Sequence, residues 1–326
     1  MTERLEKEVI RGLIDAATIA NAWILTAGIN NGVSKLVGEG ILHYSLLRAH
    51  PNTVKCIGMT MWGTINENTR LELKTASSGN PRPLCERQIP ENIQENKETI
   101  EKNHTHCILF DGGILNEYLS DSQRNQFVTE ACRNKDDDHT CYGVTIIIEG
   151  GLGSLEVINN DVEQKRPVVL IQGSGRLADI LATLVEQISN PDRSQVWEPS
   201  KEEIEKAFER FYSHALYSDI STQIKQIQNI LKDENRHLLN VFSVDRDKNV
   251  AEAIFKAIFN AIKKKNKSQN NQKRKGETLE EEKQCRKDED KLVGLALKWD
   301  YLNGVLPILH ARQGDMIKKK TDFIQV

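Results

Sequence analysis

At 326 residues the chain is long enough for about two domains, and 38% hydrophobic against 28% charged residues allows a core beneath extended polar surface. A net charge of −3 gives no support to wholesale nucleic-acid binding, and no run approaches the ~18 apolar residues that span a bilayer. Six cysteines (Cys56, Cys85, Cys107, Cys132, Cys141 and Cys285) form no C-x-x-C pair; with no secretory leader in the sequence, they are expected as reduced cytosolic thiols.

The chain opens on an amphipathic helix over residues 3–20, with Leu5, Val9, Leu13, Ala17 and Ala20 on one stripe. Short, nearly continuous apolar runs at 23–27, 54–59, 106–110, 144–148 and 168–171 read as strands covered on both faces of a parallel sheet. Helical patterns alternate with them. The clearest is "RLADILATLVEQI", where Leu177, Ile180, Leu181, Leu184, Val185 and Ile188 form the apolar face. This alternation predicts an α/β, Rossmann-like, doubly wound and mainly parallel sheet over residues 1–190. Residues 64–104 are polar, contain Pro81, Pro83 and Pro90, and are expected as a surface insertion. Residues 191–262 read as a mainly helical extension, with a further short strand within 238–244 and an amphipathic helix carried by Val250, Ala253, Ile254, Ala257, Ile258, Ala261 and Ile262. A basic-then-acidic linker is expected over 263–287 and the start of a helical, repeat-like region over 288–326.

Three glycine turns each follow an expected strand: "TAGINNG" (26–32), "EGGLGS" (149–154) and "QGSGR" (172–176). In a parallel sheet the strand C-termini face one edge, where such turns can converge. Glycine admits close backbone approach, and N–H groups opening a helix attract anions. Arg176 stands in the first turn of its helix, where the dipole mildly disfavours a cation and a bound phosphate would offset that cost. The candidate ligand residues are therefore Gly28, Asn31, Gly32, Gly150, Gly151, Gly153, Ser154, Gly173, Ser174, Gly175 and Arg176.

Other chemistry is poorly supported. "HTHC" (104–107) with "HTC" (139–141) has the residue types for zinc but no matching spacing, and ordinary strand residues are the better reading. "DDD" (136–138) lacks the glycine and spacing of a calcium loop. Neither a G-x-S-x-G elbow nor a Walker phosphate loop is present. No metal and no cofactor is expected.

The stretches "EVIRGLIDAATIANAWILTAGINNGVSKLVGEG", "IGMTMWGTI", "HTHCILFDGG", "VTIIIEGGLGSLEVI" and "PVVLIQGSGRLADILA" resemble, in order, the SLOG-type nucleotide-sensing domain of the melastatin (TRPM) cation channels. The resemblance is strongest over 7–190, fails in the 64–104 insertion, and continues through "LLNVFSVDRDKNVAEAIFKAIFNAI" and "LVGLALKWDYLNG". It implies a cytosolic Rossmann-like module of a homotetrameric, calcium-permeable plasma-membrane channel, regulated by ADP-ribose or a related adenine nucleotide. No nucleic acid is implied as a partner, and no membrane insertion by this chain. It also implies that Arg176 binds the diphosphate, with the N–H groups of 150–154 and 173–176, and that Tyr118 stacks on adenine. A second arginine falls on Asn125, with Arg124 beside it. Family members place a first strand and glycine turn ahead of the opening helix, so the sheet is expected to lack that strand.

Related phosphoribohydrolases carry P-G-G-x-G-T-x-x-E, where this chain reads "EGGLGSLEV". Glu149 replaces the Pro, Val157 stands where the Glu is needed, and Glu156 points about 100° away on a helix. An oxocarbenium-like transition state needs a nearby carboxylate. Binding without hydrolysis is thus the expectation; a phosphoribohydrolase and a ligand-free assembly domain are the alternatives.

Overall fold

A computed structural model describes residues 1–46, 54–78, 98–133, 141–189, 198–211, 220–247, 249–272, 290, 293–294 and 296–297. The chain divides into two compact units, Lys7–Ala131 on one side and Met1–Glu6 with Cys132–Val326 on the other. Each carries its own three-stranded parallel sheet with helices, consistent with the α/β, Rossmann-like class that the sequence predicts.

The chain begins with α1 (Glu3–Ala20), then β1 (Trp23–Thr26), α2 (Gly32–Leu46), β2 (Lys55–Met61), α3 (Glu67–Ser78), β3 (His106–Phe110) and α4 (Asp121–Ala131). In the Lys7–Ala131 unit the sheet order is β1-β2-β3. The central strand β2 is buried from Cys56 through Met61, as its unbroken apolar run requires. Ile10, Ile14 and Ala17 of α1 pack with Val37 and Ile41 of α2 over Ile24, Val54 and Cys56. The buried face of α1 is rotated from the expected stripe. Val9, Ile10, Ile14 and Ala17 are buried, while Leu13 and Ala20 are only partly covered. Within the stretch expected as an insertion, 67–78 is helix α3, and Ile65, Thr99, Ile100 and Glu101 are buried. Residues 79–97 lie outside the described residues.

The second unit holds β4 (Thr145–Ile147), α5 (Ser154–Glu163), β5 (Val168–Ile171), α6 (Arg176–Ile188), α7 (Lys201–Phe211), α8 (Ser221–Ile230), β6 (Leu239–Phe242) and α9 (Val250–Gln272). Sheet order is β4-β5-β6. All four side chains of β5 are fully buried, because β4 and β6 take both its edges and helices cover it. Leu177, Ile180, Leu181 and Leu184 of α6 join Leu155, Ile158, Val168 and Leu170 in one core, to which α7 adds Ile204 and Phe208 and α8 adds Ile224 and Ile227. Each such side chain contributes roughly 1.5–3 kcal/mol on burial. Of the linker expected over 263–287, residues 263–272 continue α9, and the remainder lies outside the described residues. So does nearly all of the 288–326 region.

Candidate functional site

The glycine turns at 149–154 and 172–176 are joined by four contacts within the second unit. Ser174, 1% exposed, accepts the Glu149 N–H on Oγ at 2.8 Å and donates its hydroxyl to the Ile171 carbonyl at 2.6 Å. The carbonyls of Glu149 and Gly150 accept the N–H groups of Ala178 and Leu177 at 2.9 and 3.4 Å. The guanidinium of Arg176 comes within 3.7 Å of where a Cβ on Gly151 would stand. Gly150, Gly151, Gly153, Ser154, Gly173, Ser174, Gly175 and Arg176 are therefore brought together.

Their donors are not equally available. The Asp179 carboxylate, one turn into α6, accepts the N–H of Gly173 at 2.6 Å and that of Gly175 at 3.0 Å. With Leu177 and Ala178 bonded to carbonyls, the opening of α6 is already satisfied by the protein. An anion taken by the 173–176 N–H groups, as the sequence reading expects, would have to displace Asp179 from those of Gly173 and Gly175. Loop 149–153 before α5 differs. The N–H groups of Gly151, Leu152 and Gly153 make no hydrogen bond among the described residues, and they precede the positive end of a ten-residue helix.

Backbone strain marks the same place. Glu149 (φ +57°) and Arg176 (φ +52°) adopt the left-handed region without being glycine, at about 1–2 kcal/mol each. Gly150 (φ +75°) follows the first and Gly175 (φ +105°) precedes the second, where a side chain would add to the strain. Behind the turn, Asp161, fully buried in α5, accepts the Arg166 guanidinium at 2.6 Å and the Thr145 hydroxyl of β4. That pairing fixes β4 against α5.

The remaining candidates lie in the Lys7–Ala131 unit. Gly28 (φ +68°) is required by packing: a Cβ on it would stand 2.5 Å from the Gly58 Cα on β2. Gly32 (φ +49°) opens α2 with open space around it. Asn31 and Tyr118 share a partner, Glu98, whose Oε1 accepts the amide and the phenol at 3.3 Å each. Desolvation first, and Glu98 second, raise the Tyr118 hydroxyl above its ordinary pKa. Arg124 directs its guanidinium at Asp121 within α4, Nη2 to Oδ2 at 2.9 Å, and the Asp121 side chain is 3% exposed. An arginine pinned to a buried carboxylate is poorly placed to serve a ligand.

"HTHC" has a role that zinc arithmetic does not reveal. The Glu101 carboxylate accepts the Asn103 N–H and side-chain amide at 2.9 and 2.8 Å and faces His104 Nδ1 at 2.6 Å. His104 Nε2 meets the Thr26 hydroxyl at 2.6 Å, and Thr26 Oγ1 accepts the Gly28 N–H at 2.9 Å. An ionised carboxylate can only accept, so His104 Nδ1–H donates to Glu101. The His104 and Glu101 side chains are 1% and 2% exposed, so this chain is a buried, satisfied brace for the 26–32 turn. Among the described residues no three His, Cys, Asp or Glu are grouped to hold a metal; His139 and the 136–138 aspartates lie outside them. Nor is any described helix long and apolar enough to cross a membrane.

Glu98, Glu101, Asp121 and Asp179 are the residues that reading glycine turns misses. Only Asp179 carried a signal: an acid placed to cap a Gly-x-Gly turn from the first turn of the next helix.

A family profile described as SLOG in TRPM matches residues 1–240. The rat "Transient receptor potential cation channel subfamily M member 2" is 30% identical over 270 residues, covering 80% of this chain and 17% of that protein. The Nematostella vectensis "subfamily M member-like 2" protein is 27% identical over 278 residues, covering 81% and 17%. The mouse "subfamily M member 6" channel is 28% identical over 275 residues, covering 81% and 12%. This chain thus spans less than a fifth of the length of those channels. With well over half of its residues matched in one profile, the chain belongs to the SLOG domain family of the TRPM channels.

Proposed function

We propose that this chain is a cytosolic, nucleotide-sensing regulatory domain of a TRPM-like, calcium-permeable cation channel, and that it binds ADP-ribose or a related adenine nucleotide. One observation carries the reading: three N–H donors at Gly151–Gly153, ahead of α5, with the Arg176 guanidinium beside them. A diphosphate has the charge and the acceptors for that arrangement. The 173–175 turn is a scaffold in this reading, held shut by Asp179 so that Arg176 keeps its direction. Tyr118 against the adenine, and a homotetrameric channel at the plasma membrane, come from the family resemblance and are proposed on that ground alone. Isothermal calorimetry of the full chain with ADP-ribose tests the reading. Binding tighter than about millimolar, abolished by disrupting the 151–153 loop, is expected; the absence of binding would favour an assembly domain.

Hydrolysis is disfavoured in this reading, because Val157, which has no carboxylate, stands where a glycosidic bond needs one, and Glu156 is exposed on α5.

A further inference from the structure

Away from the nucleotide reading, the turn that opens α2 holds a dipeptide with chemistry of its own. Asparagine followed by glycine occurs at Asn31–Gly32 and at Asn303–Gly304, and the second pair lies outside the described residues. Asn31 and Gly32 are both exposed. The Asn31 carbonyl accepts the Lys35 N–H at 3.3 Å, which places Asn31 at the cap position of α2. Its side chain turns elsewhere. Nδ2 donates to Glu98 Oε1 at 3.3 Å, and Oδ1 makes no hydrogen bond among the described residues.

We propose that Asn31 is a self-modification site: the Gly32 nitrogen closes on the Asn31 side-chain carbonyl carbon, and the ring opens to aspartate or isoaspartate. Inside a helix this closure is blocked, because the attacking nitrogen is held in a hydrogen bond to the preceding turn. Gly32 lacks that protection. It is the first residue of α2, and its N–H makes no hydrogen bond among the described residues. The positive end of α2 favours the negative charge that the attacking nitrogen must carry. Gly32 has no side chain to hinder the approach, and a Cβ built on it would meet nothing within 4 Å, which leaves room for the ring and for water.

The chemistry balances with water as the only co-reactant. The Gly32 amide gives its proton to hydroxide, its nitrogen bonds to Cγ of Asn31, and the Cγ–Nδ2 bond breaks as ammonia leaves with a proton from water. Water then opens the five-membered imide. Cleavage at Cγ restores the ordinary backbone with an aspartate side chain. Cleavage at the main-chain carbonyl carbon leaves isoaspartate, with one extra methylene in the chain just ahead of α2. Either product replaces an amide donor facing Glu98 with a carboxylate, so a hydrogen bond becomes a like-charge contact. Glu98 Oε1 also accepts the Tyr118 phenol, so the new charge falls beside that residue's anchor.

The test incubates the full, folded chain at 37 °C and pH 8 in water enriched in oxygen-18, followed by peptide mapping and enzymatic methyl-labelling of isoaspartate. Heavy oxygen and isoaspartate are expected in the peptide containing position 31, at a rate that rises with pH. Hydroxylamine, which traps the imide, should cut the folded chain between Asn31 and Gly32. Gly32→Ala should slow the reaction several-fold. Asn31→Gln, whose longer side chain cannot close a five-membered ring, should abolish it at this position, with circular dichroism confirming the fold of both variants. Asn31 left intact in the folded chain while it reacts in urea, isoaspartate confined to position 303 or to other sites, or a rate indifferent to Gly32→Ala would each overturn the proposal.

Discussion

Arg176 lets the cost of a site and its use be separated. It holds φ +52° at the first position of α6, a conformation that an L-residue adopts at about 1–2 kcal/mol and glycine adopts freely. Its charge at the positive end of that helix adds roughly 0.3–1 kcal/mol of disfavour. Arg176→Gly removes both, while the added flexibility of the unfolded chain takes back about 0.5–1 kcal/mol. The net expectation is a gain near 1 kcal/mol, or about 2–4 °C in Tm for a domain of this size. Nucleotide affinity should move the other way. A charge-assisted hydrogen bond is worth roughly 1.5–3 kcal/mol, so its loss weakens ADP-ribose by about ten- to more than hundredfold. Arg176→Ala should lose the same affinity without the same gain in Tm, since alanine keeps the strain. Arg176→Lys should recover only part of the affinity, because an ammonium lacks the planar fork. Calorimetry and differential scanning calorimetry on the three variants supply both numbers. Unchanged affinity in Arg176→Gly and Arg176→Ala would refute the assignment of this arginine to the diphosphate.

Asp161→Ala removes the buried carboxylate that accepts from the Arg166 guanidinium and the Thr145 hydroxyl, so a loss of about 3–5 kcal/mol is expected in urea unfolding; less than 1 kcal/mol would show the pair to be dispensable. Arg124→Ala should change nucleotide affinity less than Arg176→Ala yet lower stability, because it removes the guanidinium hydrogen-bonded to the buried Asp121; the reverse ranking would favour Arg124 as a ligand residue. Nucleoside monophosphates and ADP-ribose incubated with the protein should release no free base or ribose phosphate above background by chromatography. Turnover that Glu156→Gln abolishes would promote the phosphoribohydrolase alternative.

Elements whose residues share one environment were legible in the sequence. β3 and β5 fall on the expected residues, and α1 and α6 on theirs, since a buried strand needs only an apolar run and a packed helix only its period. The 64–104 stretch reads as insertion because it is polar and carries Pro81, Pro83 and Pro90; Glu101, Asn66 and Thr99 are buried within it all the same, Glu101 and Asn66 accepting from nearby backbone N–H groups in turns no period encodes. Gly28 illustrates the same limit. Its close approach to Gly58 on the neighbouring strand requires glycine there, and that approach is invisible until the strands are paired. At the candidate site it is pattern that proposes the glycines and Arg176. Asp121 was not singled out, because an acid that pins an arginine looks like any solvated charge until its partner is in view; Asp179 was missed although its place in the first turn after a Gly-x-Gly stretch is a capping signal.

The central claim is that an adenine nucleotide diphosphate is held by the Gly151–Gly153 N–H groups. Amide resonances of the deuterated, 15N-labelled chain, followed during titration with ADP-ribose, test it most directly. The account predicts saturable downfield shifts at Gly151, Leu152 and Gly153, with the Gly173 and Gly175 amides little moved because Asp179 keeps them. Shifts absent up to millimolar nucleotide, or confined to residues other than that loop, would contradict it.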